Sequence, residues 1–102
     1  MSSREIFAVK AVSETLKLSF DFTSSMAVTE TITAQGVAAT VYSGVDLTPS
    51  SIISGVATVS GKIVSQVITG GTAGVQYLLN CGATTSAGQI LVITAYLTVE
   101  SG

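Results

Sequence analysis

Hydrophobic and polar residues alternate along several short segments, most clearly from Leu16 to Thr23. Leucine or phenylalanine occupies each even position of this segment, and polar residues occupy the odd positions. Successive side chains of a β-strand point to opposite faces, so the pattern predicts a strand with one buried face. No stretch of ten or more residues has apolar positions at helical spacing, so we predict an all-β protein.

Further strands are predicted from runs of β-branched and apolar residues that lie between turn residues. Gly36 predicts a bulge or bend, Ser60–Gly61 predicts a two-residue hairpin turn, and a bend near Glu14 separates the first two strands. The final run is expected to be the longest strand. The further runs cover residues 6–12, 30–42, 52–59, 62–69, 75–81 and 89–99.

Seven or eight strands in 102 residues set the expected architecture. Short strands separated by turns in a chain of this length are typical of an immunoglobulin-like antiparallel β-sandwich. We therefore predict that residues 1–102 form a single β-sandwich domain. A jelly roll is the alternative fold.

The segment Gly70–Tyr77 resembles a tyrosine corner, in which the hydroxyl of a tyrosine at the start of a late strand bonds back to the backbone of the preceding turn. Gly74 supplies the turn and Tyr77 begins the next strand. A phosphate-binding loop would instead need Lys and Ser or Thr after its last glycine, followed by a helix. We therefore interpret Gly74 and Tyr77 as structural residues.

Composition and charge limit the classes of function. Charged residues make up 10% of the chain, against about a quarter in a typical soluble domain, and hydrophobic residues make up 47%. This composition suits either a β-protein with a solvent face rich in Ser and Thr, or a subunit largely covered by partners. The net charge is −2 and the four basic residues are scattered, so we expect no nucleic-acid partner.

Residues that carry catalysis or bind metals are scarce. The chain has no histidine and a single cysteine, Cys81, within an apolar strand, so we expect no enzyme activity, no metal and no cofactor. The N-terminus has no long apolar segment of the kind found in a secretory signal. Polar residues interrupt every apolar run before membrane-spanning length, so no membrane partner is expected.

The last strand has an unusual outward face. Its odd positions, Leu91 to Val99, are predicted to line the core, which leaves Ile90, Val92 and Tyr96 facing outward with two threonines. Leu78 adds to this face if the two final strands pair. An apolar surface of this kind usually marks an interface, so Leu78, Ile90, Val92 and Tyr96 are the candidate protein interface; cover by a loop of the same chain is the alternative.

The C-terminal third resembles the small virion proteins of tailed phages described as phage fibre–tail adaptors. The resemblance is carried by Val67–Leu79, with its double glycine, Thr-Ala-Gly and tyrosine, by Cys81–Gly88 and by the closing segment Gly88–Val99. It extends from near Phe7 to Glu100. The first alternating strand departs from the family pattern, which tends to include Trp, because this chain has only phenylalanine there.

The resemblance implies a structural virion protein with an Ig-like sandwich, made in the host cytoplasm and located in the virion. It implies an adaptor or connector in the neck, tail or fibre-attachment region, and no catalytic residues. Expected partners are other virion proteins, and copies are expected to form a homo-oligomer or ring through strand faces and edges. A capsid decoration protein and a carbohydrate- or receptor-binding module are the alternatives.

Overall fold

Two β-sheets pack face to face in the computed structural model, which describes residues 4–101 and the side chains of residues 6–101. Residues 1–3 and residue 102 lie outside the described residues. Residues 1–3 belong to the N-terminal segment in which we predicted no secretory signal. The strands are β1 (Arg4–Ala11), β2 (Thr15–Asp21), β3 (Ile32–Ser43), β4 (Ile53–Ser60), β5 (Ile63–Thr69), β6 (Gln76–Thr85) and β7 (Ile90–Glu100). Thr23–Ser25 and Pro49–Ile52 form 3-10 turns.

The strand order is β1-β7-β6-β3 in one sheet and β2-β5-β4 in the other. This arrangement confirms the predicted all-β sandwich, and the orders β2-β5-β4 and β7-β6-β3 match the BED and CFG strands of the immunoglobulin fold. The prediction of a wholly antiparallel sandwich is wrong at β1, which pairs parallel to β7. Since β1 and β2 belong to opposite sheets, the turn between them forms no hairpin, and β1 pairs with the last strand instead.

Three local predictions also need correction. Gly36 lies directly opposite Gly82 in an unbroken register from Ala34 to Val41, and no extra residue is present there to form a bulge. Ser60 pairs with Ile63, so the hairpin turn is Gly61-Lys62, shifted one residue from the prediction. Gly61 has φ +62°, as the first central residue of a type II′ turn requires. The longest strand is β3, with 12 residues against 11 in β7.

The core lies between the sheets and is formed by the inward-facing positions that alternation predicted on β2, β6 and β7. Its largest apolar side chains with essentially no exposure are Phe20, Phe22, Ile52, Ile68, Tyr77, Leu79 and Leu97. Cys81 is fully buried among them. Regular alternation on these strands therefore places one continuous apolar layer inside the sandwich and leaves the opposite positions outward.

Lys10 is a charged residue in a mostly apolar interior. It occupies an inward position of β1 and is completely buried. Its ammonium group donates hydrogen bonds to the carbonyls of Ala11 at 2.8 Å, Val12 at 3.1 Å and Gly70 at 2.5 Å. Burial lowers the Lys10 pKa, while the nearby charge of Glu14 acts in the opposite direction. One buried side chain thus joins the β1–β2 turn to the β5–β6 corner.

Across residues 4–101, no helix has the length and apolar character that a membrane span requires.

Candidate partner interface on the four-stranded sheet

A cluster of aromatic side chains crosses the outward face of the four-stranded sheet. Phe7 of β1 lies beside Tyr96 of β7, and their rings stack with centroids 5.1 Å apart and planes 11° apart. Tyr42 of β3 meets the ring of Tyr96 edge-on, at a centroid distance of 5.1 Å and an angle of 83°. Both contacts have favourable aromatic geometry. The three rings therefore extend from one edge strand of the sheet to the other.

Further apolar side chains lie on the same outward face, and together with the three rings they form a surface that we call the aromatic face. Phe7 is 73% exposed and Tyr42 is 60% exposed, although both contact another ring. Ile90 and Val92, farther along β7, are 76% and 52% exposed. The aromatic face consists of Phe7, Val9, Tyr42, Leu78, Ile90, Val92 and Tyr96.

All four residues predicted as an interface, Leu78, Ile90, Val92 and Tyr96, lie on this face. Leu78 is directly opposite Tyr96 because β6 and β7 pair in antiparallel register, and both side chains are half-buried. Ile90 and Val92 lie nearer the opposite end of β7. The structure thus brings the four residues onto one surface, and their binding to a partner is a proposal.

Sequence reasoning did not include Phe7, Val9 or Tyr42 in this site. Phe7 and Val9 alternate with inward residues of β1, but Lys10 makes the even positions look like the solvent face. Lys10 is instead buried, because its ammonium group donates hydrogen bonds to three carbonyls, so the even positions face inward. Tyr42 could have been found, since the shared face of Val37, Ala39 and Val41 implies that Tyr42 points the other way.

The outward face of the sheet is low beside Val92. Val92 lies opposite Gly82, and Gly82 lies opposite Gly36, so no side chain covers the sheet at two adjacent strands.

The two sheets have different outward faces. On β3, β6 and β7 as far as Thr98, no outward position carries a charged residue. The outward face of the three-stranded sheet carries Lys17 and Asp21, and a pair of hydroxyl groups on Ser19 and Ser65 lies 3.2 Å apart. Val67 and Ile63 of that sheet lie opposite Lys17 and Asp21, so charged and apolar side chains are mixed on its outward face.

The residues Gly70–Tyr77 form a corner at one end of the sandwich. The Tyr77 hydroxyl accepts a hydrogen bond from the backbone N–H of Thr72 at 2.9 Å and donates one to Oδ2 of Asp46 at 2.6 Å. Gly74 has φ +86°, and its N–H donates to the carbonyl of Val99 at 2.9 Å. We propose that these bonds hold the corner closed.

Both groups of the Tyr77–Asp46 pair have shifted pKa values. Burial, followed by the hydrogen bond to Asp46, raises the pKa of Tyr77. The hydrogen bond from Tyr77, followed by that from the Thr48 N–H, lowers the pKa of Asp46. The pair therefore consists of a neutral phenol and a carboxylate near neutral pH, which is a structural arrangement at the base of the loop between β3 and β4.

Cys81 is the free cysteine of the chain, and it is buried in the core. Burial raises the pKa of the Cys81 thiol to about 12, so the nucleophilic thiolate is scarce near neutral pH. Within the described part of the chain, His, Cys, Asp and Glu residues form no group of three that could hold a metal ion. The surface with the clearest potential for function is therefore apolar.

Among solved structures, a 2,6-sialyltransferase from Vibrionaceae Photobacterium sp. JT-ISH-224 has a similar fold, with a TM-score of 0.56 and 12% sequence identity. The match covers 97% of this chain and 18% of the enzyme chain, so this chain spans less than a fifth of that enzyme's length. At this identity the likeness shows the fold alone. No curated protein sequence matches this chain.

The family model described as podophage GP4 fiber-tail adaptor protein gp77 matches residues 10–98. The matched residues include β2 to β6 and nearly all of β7. This match confirms the resemblance that the C-terminal motifs predicted. The chain belongs to the podophage GP4 fiber-tail adaptor protein gp77 family.

Proposed function

We propose that this chain is a structural subunit of a podophage virion, where it connects tail and fibre proteins through the aromatic face. The observation that carries the proposal is the distribution of its rings. The chain has three Phe, three Tyr and no Trp, and Phe7, Tyr42 and Tyr96 lie together on the outward surface of the four-stranded sheet. Residues of this kind are enriched at protein interfaces.

The outward face of the four-stranded sheet, which carries the aromatic face, has a size that suits a protein partner. Four strands about 4.8 Å apart, each contributing about nine residues at about 3.3 Å per residue, cover roughly 600 Å² of flat sheet. A stable interface buries about 800 Å² on each partner. The face would thus supply most of one interface, with adjoining loops supplying the rest.

Contacts among the three rings favour binding. Tyr96 is held between Phe7 and Tyr42, so its orientation is fixed before a partner arrives. A side chain that is already ordered loses less conformational entropy on association than a mobile one. We therefore assign Tyr96 the role of central anchor, with Leu78, Ile90 and Val92 extending the contact along the sheet.

The proposal makes the chain a non-enzymatic component, located in the virion after synthesis in the host cytoplasm, with several copies in a ring or small oligomer. The family description of an adaptor supports this role. The same sandwich could also decorate a capsid, and the two roles differ in position on the particle.

Electron microscopy of intact particles labelled on this chain tests the proposal. We expect label at the tail, at or near the fibre attachment, in a small number of copies per particle. Label spread over the capsid surface would contradict the adaptor role and favour a decoration protein. Absence of label from purified particles that contain complete tails would contradict a virion role altogether.

A further inference from the structure

The two sheets end in four edge strands, β1 and β3 in one sheet and β2 and β4 in the other. An edge strand presents unpaired backbone donors and acceptors, which can pair with a strand of another molecule. Natural proteins usually protect such edges with charges, with irregular backbone or with short strands. The four edges of this sandwich differ in that protection.

Three edges carry a protective feature. The β1 edge has a charge on an inward position, Lys10. The β2 edge carries Lys17 and Asp21 along a strand of seven residues. In β4, the register with β5 shifts between Ser54 and Thr58, so regular pairing is interrupted.

The β3 edge has none of these features between Ala34 and Val41. It is 12 residues long and contains neither a charged residue nor a proline. Its register with β6 is unbroken from Ala34 to Val41, with shifts only towards its two ends. Within residues 4–101, β3 pairs with β6 alone, and the remaining backbone hydrogen bonds of loops and turns do not involve residues 32–43.

We infer that β3 pairs antiparallel with β3 of a second copy of this chain, which joins two four-stranded sheets into one of eight strands. A two-fold axis perpendicular to the sheet would relate the copies, and the contact would be isologous. The biological role of this dimer rests on the proposed function, whereas the pairing itself rests only on β3.

The absence of charged residues on β3 favours a second copy of this chain as the partner of the β3 edge. In a self-pairing, each residue of β3 faces another residue of the same strand, and the strand has no charge that would oppose its own copy. The two-fold axis also keeps both outward faces on the same side. The aromatic faces of the two copies would then lie on one surface of double width, with Tyr42 of each copy on one of its two central strands.

The β4 edge lies on the same side of the sandwich as the β3 edge. The side-chain amide of Gln35 in β3 donates a hydrogen bond to the carbonyl of Ala57 in β4 at 3.1 Å, so the two edges lie side by side. Val56 next to Ala57 is 87% exposed. Pairing along β3 would bring the exposed valines of the two copies towards each other.

Sedimentation equilibrium of the full chain tests the inference. We expect wild-type protein to approach twice its monomer mass of 10.3 kDa as concentration rises. The variant Ala38→Lys places like charges close to the two-fold axis and should weaken dimerisation about tenfold or more, with partial recovery at high salt. Ala38 is exposed, and Thr40→Lys is a second variant should Ala38→Lys fail to fold.

Two controls make the outcomes distinct. Ser19→Lys, on the outward face of the other sheet, should dimerise like wild type, and Tyr96→Asp distinguishes edge pairing from association through the aromatic face. A monomeric wild type, or equal dimerisation of wild type and both β3 variants, would overturn the inference. Loss of association in Tyr96→Asp but not in Ala38→Lys would assign self-association to the aromatic face and also overturn edge pairing.

Discussion

The hydroxyl of Tyr77 donates a hydrogen bond to Oδ2 of Asp46 at 2.6 Å, across 31 residues of sequence. The hydroxyl oxygen of Tyr77 also accepts a hydrogen bond from the backbone N–H of Thr72 at 2.9 Å. One phenol therefore links the loop between β3 and β4 to the corner between β5 and β6. Gly71 allows the close packing there, because a Cβ at this position would lie 3.0 Å from a methyl group of Val99 and its φ is +99°.

The variant Tyr77→Phe tests the importance of this link. It removes one donor and one acceptor while keeping the ring in the core, so we expect the free energy of unfolding to fall by about 2 kcal/mol. Urea denaturation measures the change. Tyr42→Phe is the matched control, because the Tyr42 ring is exposed, and its effect should stay within about 0.5 kcal/mol. Equal effects of the two substitutions would show that the corner does not depend on the hydroxyl.

The lowered pKa of Asp46 predicts a pH dependence of stability. Because the folded-state pKa lies below the unfolded value of about 3.9, the carboxylate stabilises the fold above about pH 4, and this contribution is lost as pH falls through the folded-state pKa. Wild type should be more stable than Asp46→Asn near pH 7, with the difference shrinking below about pH 4.

Urea midpoints of both proteins between about pH 2 and pH 7 measure that difference. Glu30 should add a parallel loss in both proteins, since hydrogen bonds from Thr85 and Ala27 lower its pKa as well. A difference between the two proteins that stays constant across the whole range would contradict the assignment to Asp46.

Lys10 provides a third prediction. Lys10→Met keeps an unbranched chain of similar length but leaves the carbonyls of Ala11, Val12 and Gly70 without their donor. Buried carbonyls without partners cost free energy, so we expect a loss of about 2–3 kcal/mol in the free energy of unfolding. Lys17→Met, at an exposed position of β2, is the control and should change stability little. An unchanged or raised stability of Lys10→Met would show that burying the charge costs as much as its hydrogen bonds contribute.

Alternation in the sequence was sufficient to predict the parts of the fold that depend on local pattern. In β2, β6 and β7, apolar residues at alternate positions face the core. The outward positions of Leu78 and Tyr96 could therefore be predicted from the alternation alone. The family motifs in the C-terminal third also lie in these well-patterned strands. Bends predicted from glycine positions were less reliable, since Gly36 lies within a regular pairing opposite Gly82.

Features that depend on distant residues could not be predicted. The parallel pairing of β1 with β7 joins the two ends of the chain, and no local signal specifies it. Lys10 has the residue type of a solvent position, and only the three carbonyls around it make burial favourable. The partner of Tyr77 was missed for the same reason, because Asp46 lies in a loop with ordinary turn composition. These long-range contacts determine both the full aromatic face and the corner.

The copy number of the chain in purified particles, compared between wild type and Tyr96→Asp, tests the central claim most directly. Ser19→Asp on the other sheet is the matched control, and the soluble stability of each variant is measured beforehand. If the aromatic face binds a virion partner, the copy number of Tyr96→Asp in particles should fall at least about tenfold, because the new charge would be buried without a partner. The copy number of Ser19→Asp should stay at the wild-type value. Equal retention of a folded Tyr96→Asp variant would contradict the claim that this face joins the chain to the virion.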